Sequence, residues 1–124
     1  MPILKPKGYI RSNKLGAVQL YSKVVSAGAS ITSQTAANQS GFVVTWVSTG
    51  LYRLTFADNW DSMLFIKGLI YNAGTAVGQF VELKAKLSSK VADIHVVNDA
   101  GSVEDVVSGN ELWIEATMSN TSVG

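Results

Sequence analysis

The chain has no cysteine, a single histidine (His95) and only two prolines, both within its first six residues. Without thiols it can form no disulfide, no thiolate nucleophile and no zinc–thiolate site. A serine nucleophile would have to take its base from His95, and no nucleophile-elbow pattern is present. There is also no P-loop and no dinucleotide-binding glycine fingerprint. No apolar run approaches membrane length. The opening MPILKPKGYIRSNK carries four basic residues and no long apolar core, so it reads as neither a signal peptide nor a span. Charge is scarce, at 15% of residues against about a quarter in ordinary globular domains. A surface so poor in charge exposes Ser, Thr, Asn and apolar groups instead, which favours partial coverage by partner subunits.

Acidic residues are missing from the whole first part of the chain. From Met1 to Ala57 there are six cations and no acid, net +6; from Asp58 to Gly124 four cations and nine acids give −5. A nucleic-acid binder could use the basic end. Folding of the two halves against each other, or against a neighbour's opposite half, accounts for the split more simply, and no nucleic-acid partner is assigned.

What is abundant is apolar sequence, 47% of 124 residues, enough for the core of one domain. The chain is organised around Gly41 to Phe65. Ser48-Thr49-Gly50 breaks two runs rich in β-branched and aromatic residues, the pattern of a hairpin whose turn uses Gly50. Phe42, Val44 and Trp46 share one face before the break, and Tyr52, Leu54 and Phe56 share one after it. Ala17 to Val25 alternates with Val18, Leu20 and Ser22 opposite Gln19, Tyr21 and Lys23. A short strand is expected within Ala29 to Gln34, and the rest of residues 26–40 reads as loop. Ala57 to Ser62 breaks the β pattern, with Asp58 able to cap a short helical turn over Trp60. Met63 to Tyr71 is nearly all apolar and predicts a buried central strand, with Gly68 marking a bulge or close packing. Gln79 to Leu87 fits either period; the β-rich surroundings favour strand. Val91 to Asn98 and Glu111 to Met118 complete the set, with Val103 to Val107 a short strand or wide loop. The prediction is an all-β, sandwich or jelly-roll-like domain over residues 17–124 with seven or eight strands. Residues 1–16, interrupted by Pro2, Pro6, Gly8 and Gly16, read as an extended basic N-terminal arm that docks on a partner.

Few residues suggest chemistry. His95, between Ile94 and Val96, reads as a sheet-surface or satisfied core side chain. Asp58 and Asp61 lack the alternating ligands and distal glutamate of a calcium loop, so no metal is assigned. Glu82, Asp93, Glu104, Asp105, Glu111 and Glu115 could supply a glycosidase pair, but nothing in the sequence pairs any two of them. Adjacent Glu104 and Asp105 read as a solvated acidic tip. Asn38-Gln39-Ser40 and Asn120-Thr121-Ser122 match the glycosylation triplet by chance. No cofactor is expected and no enzyme activity is assigned. The aromatics are the better functional signal, since Trp and Tyr serve core, interface or sugar-stacking surfaces alike. Trp113 falls on the polar face of the last strand, between Glu111 and Glu115, where a neighbour could bury it. The candidate partner-binding residues are Lys5, Lys7, Tyr9, Arg11 and Lys14 on the arm, together with Trp113.

Three stretches carry a family resemblance: Gly50-Leu51-Tyr52-Arg53-Leu54-Thr55-Phe56, Ala92-Asp93-Ile94-His95-Val96-Val97, and the closing turn and strand ending in Ser119-Asn120-Thr121-Ser122. Over residues 41–122 the chain resembles small virion proteins of tailed bacteriophages, of the head decoration (cement) or fibre-knob type. The resemblance implies a jelly-roll-like protomer, commonly a homotrimer, on the outside of the particle and bound to the major capsid protein or another virion protein. It implies no catalytic residue. The alternative it leaves open is a receptor- or carbohydrate-binding fibre knob.

Overall fold

A computed structural model describes residues 10–11, 17–58, 60, 62–88 and 90–119. Eight strands of at least four residues and one two-residue strand make two antiparallel sheets. In chain order they are β1 (Ile10–Arg11), β2 (Ala17–Ser26), β3 (Ile31–Gln34), β4 (Phe42–Ser48), β5 (Leu51–Phe56), β6 (Ser62–Tyr71), β7 (Gln79–Lys86), β8 (Val91–Asn98) and β9 (Glu111–Ser119). A single helical turn, α1 (Ala37–Ser40), lies in the stretch expected to be loop. The larger sheet runs β2-β9-β6, with β1 and β3 both pairing with the free side of β2; the smaller runs β4-β5-β8-β7.

The pairing is nested. β2 lies beside the last strand, β9, and β5 beside the penultimate strand, β8, while β6 and β7 wrap outside β9 and β8. A double ribbon rolled across two sheets is the jelly-roll way of connecting a sandwich. Period-two patterning decides which side of each strand is buried. Val18, Leu20 and Val24 of β2 and Leu112, Ile114, Ala116 and Met118 of β9 face Phe42, Val44, Tyr52, Leu54, Phe56, Ile94 and Val96 of the smaller sheet. Phe42 and Phe56, register partners in the hairpin, stack with ring centroids 5.0 Å apart.

The two edges of the sandwich are closed differently. At β6 and β7 the sheets converge on Gly68. A Cβ there would sit 3.1 Å from both the Trp113 carbonyl oxygen and a Val81 methyl, so the close-packing role expected for this glycine holds. The bulge lies elsewhere, between Met63 and Phe65. At the other edge the Gln34 side chain acts as a strand. Val44 N–H donates to Gln34 Oε1, and Gln34 Nε2 donates to the Val44 carbonyl, each at 2.8 Å.

Three expectations need correction. β6 is an edge strand of the larger sheet rather than a central one, and its apolar run serves two sides: Met63 and Ile66 are buried, Leu64, Phe65, Leu69 and Tyr71 exposed. Residues 57 and 58 form a bend rather than a helical turn, although Trp60 is buried as expected. Of the two readings left open for Val103 to Val107 the loop holds, with one bridge from Val103 to Val97. Glu104 and Asp105 are no solvated tip. They are half-buried and turned inward, and they hold the β8–β9 connection onto the smaller sheet. Asp105 Oδ1 accepts from Trp46 Nε1 at 2.7 Å and from Gly50 N–H at 2.8 Å. Glu104 accepts from the amides of Gln79 and Asn98 at 2.6 and 2.8 Å. Three of the four donors, Trp46, Gly50 and Gln79, lie 25 to 59 residues away in the chain, so an adjacent acidic pair gives no hint of them.

Tyr52 lies under the same connection. Its ring is buried and its hydroxyl oxygen accepts from Val106 N–H at 3.0 Å. Burial pushes the phenol above its ordinary value and the Asp105 carboxylate adds to the effect, outweighing the Val106 hydrogen bond. A folded-state value above the unfolded one leaves stability intact below about pH 10 and removes it as pH rises through the folded value, because the unfolded chain ionises first. Tyr52→Phe is therefore expected to cost about 1–3 kcal/mol at neutral pH by orphaning Val106 N–H. The same variant should lose less stability than the parent between pH 10 and pH 12, as read by urea titration at each pH. An equal alkaline loss in both proteins refutes the assignment.

Candidate binding face

The outer side of the larger sheet is where exposed aromatic and aliphatic side chains gather. Three antiparallel strands in register place its outward residues in rows. Gln19, Thr117 and Phe65 form one row; Tyr21, Glu115 and Lys67 the next; then Lys23, Trp113 and Leu69; then Val25, Glu111 and Tyr71. Each row crosses β2, β9 and β6 in that order. Trp113 thus sits mid-sheet, 40% exposed, with Leu69 beside it at 55% and Tyr71 one row away at 51%.

The face is braced by its own polar groups. Tyr71 and Trp113 pack at 5.5 Å between ring centroids, tilted by 47°. The Lys23 ammonium lies 5.3 Å from the centroid of the Trp113 ring, within cation–π range. Trp113 Nε1 donates to Glu111 Oε1 at 2.9 Å. Lys67 pairs with Glu115 at 3.2 Å, and Gln19 Nε2 donates to the other oxygen of that carboxylate at 3.2 Å. Tyr21 in turn donates its hydroxyl to Gln19 Oε1. Pairs this exposed add little stability. They place charged tips around Trp113, whose ring lies among Lys23, Tyr71 and Glu111.

Between Tyr21, Lys23, Lys67, Leu69 and Trp113 the twist of the sheet leaves an open, mainly apolar cleft of about 540 Å³. Thr35, just beyond β3, closes one end. Phe65 and Tyr71 stand on β6 on either side of the Lys67–Leu69 stretch that lines it.

The candidate residues fare differently. Trp113 is on the surface, as its place between two glutamates implied. The face around it is more apolar than the last strand alone predicts, because β6 contributes Phe65, Leu69 and Tyr71. Sequence reading missed these three by taking β6 as buried on both sides; the one polar residue in the run, Lys67, marks the solvent side. Lys5, Lys7, Tyr9 and Lys14 lie outside the described residues. Arg11 belongs to β1, whose backbone pairs with Val18 of β2. The other two tryptophans are interior: Trp60 is buried, and Trp46 packs against the core with its indole N–H given to Asp105.

Among the described residues, no group of three or more histidine, aspartate or glutamate side chains is placed to hold a metal ion. Asp93 is taken by Arg53 in a two-point ion pair at 2.8 and 3.0 Å, which also joins the basic and acidic halves of the chain. His95 faces outward from β8 between Leu51 and Glu82, half-buried. No helix among the described residues is long and apolar enough to cross a membrane. No family model, curated protein or solved structure matches the chain.

Proposed function

We propose that the protein is a non-enzymatic structural component of a phage particle, a capsid decoration protein that binds the outer surface and stabilises it through subunit contacts. The observation that carries this reading is the outer face of the larger sheet. A chain with 15% charged residues leaves Phe65, Leu69, Tyr71 and Trp113 exposed on one side of one sheet. Such a face gains by being covered with protein. The resemblance of residues 41–122 to small virion proteins supplies the setting, with a homotrimer and the major capsid protein as the partners it implies. Ile10–Arg11 of the basic arm pair with the chain's own β2, and the arm's other basic residues, Lys5, Lys7 and Lys14, contact a neighbouring subunit or the capsid protein and supply charge complementarity to an acidic surface. Mass spectrometry of purified particles of the phage that encodes the chain should find it, and antibody labelling should place it on the exterior. Its absence from the particles overturns the proposal, as does undiminished particle binding for the role of an arm deleted through residue 16.

A second reading is favoured by the Tyr71–Trp113 pair beside the cleft, since sugar rings stack on exposed aromatic faces. In that case the protein is a receptor- or carbohydrate-binding fibre knob. Quenching or shift of Trp113 fluorescence by members of a glycan panel, lost in Trp113→Ala, distinguishes it from a decoration protein.

A further inference from the structure

We infer that the occupant of the Trp113 face is a second copy of the same chain, seated so that an aromatic ring from β6 of one copy enters the cleft of the next. This deepens the structural reading above by naming the partner of that face. Two observations point to self-association rather than to an unlike partner.

The first is charge. Lys23 and Lys67 are offset by Glu111 and Glu115, so these rows carry equal numbers of each sign, and Lys67 is already paired with Glu115. A face of zero net charge has little field with which to steer a strongly acidic or basic partner. It meets its own copy without like-charge repulsion, and a small shift lets each lysine face the other copy's glutamates.

The second is shape. The hole and the knobs lie on one surface: the cleft is lined by Lys67, Leu69 and Trp113, and Phe65 and Tyr71 project beside it from the same strand. A surface that both offers a ring and receives one is self-complementary and can close into a symmetric assembly. The three strands, about 4.8 Å apart and about seven residues long at about 3.4 Å each, span roughly 350 Å² in plan. Side-chain relief adds to that area, which puts the contact among the small, transient interfaces and makes association concentration-dependent.

The test is native mass spectrometry and light scattering of the full chain at micromolar to hundred-micromolar concentration. The parent should form one discrete oligomer. Leu69→Glu and Tyr71→Ala, both at exposed positions, should weaken association at least about tenfold, and Trp113→Ala about thirtyfold. Thermal melts of dilute, dissociated samples should show that Leu69→Glu folds as the parent does. A control substitution on the other sheet, Thr45→Glu, should leave association unchanged. A parent monomeric throughout this range overturns the inference while leaving particle binding, measured separately, to decide the decoration reading. An oligomer indifferent to Leu69→Glu and Trp113→Ala also overturns it, as does a monomer whose Trp113 fluorescence responds to glycans.

Discussion

Gly50→Ala is expected to destabilise the protein by about 2–5 kcal/mol, with the β4–β5 turn and the β8–β9 connection loosening together. Gly50 has a φ of +68°, where a Cβ costs an L-residue about 1–2 kcal/mol. Here the Cβ would also run into a Val103 methyl and lie 2.8 and 2.9 Å from the backbone N and O of Glu104. Backbone cannot turn aside as a side-chain tip can, and forced repacking adds about 1–3 kcal/mol. The Glu104 N–H that would be displaced donates to the Val96 carbonyl, and Gly50 carbonyl accepts from Val96 N–H, so strand and loop move as one. Gly101→Ala is the control. Its φ is +83°, yet nothing lies within 4 Å of the added methyl, so only the conformational term remains. Urea unfolding followed by tryptophan fluorescence separates the two, and equal losses in both variants refute the packing argument.

Asp105→Ala is expected to cost about 2–4 kcal/mol, and Asp105→Asn less than about 1 kcal/mol. The alanine leaves Trp46 Nε1 and Gly50 N–H without an acceptor in a half-buried site, and each orphaned donor costs about 1–3 kcal/mol. Both donors converge on Oδ1 alone, at 2.7 and 2.8 Å. The asparagine carbonyl can therefore keep both bonds while losing only charge. The contrast distinguishes an acceptor of two hydrogen bonds from an electrostatic anchor. If the asparagine variant falls as far as the alanine one, the carboxylate's charge carries the effect and the geometric account is wrong. The released connection should also expose Trp46, seen as a red shift in its emission.

Much of this fold is legible along the chain because local alternation and turn chemistry suffice for it. The hairpin over Phe42–Ser48 and Leu51–Phe56, the facing of Val18, Leu20 and Ser22, and the choice of strand for Gln79–Lys86 all follow from period-two patterning within a few residues. β6 departs from its sequence pattern for a physical reason. An apolar run of strand length looks the same whether covered on both sides or left half bare, and only its position beside β9 at the edge distinguishes the two. The role of Glu104 and Asp105 is not legible in the sequence because it depends on donors at Trp46, Gly50, Gln79 and Asn98, which the fold brings to them.

The sequence by itself determined that this is a β protein with one apolar core, an exposed tryptophan on its last strand and a marked split of charge, since each is a property of residue type and spacing. The tertiary structure alone decided that β6 lies beside β9, and so that Trp113 shares a surface with Leu69 and Tyr71 rather than standing alone between two glutamates. Pairing between strands distant in the chain is set by which arrangement buries the most apolar area across both sheets at once, a sum over the whole molecule that no local window contains.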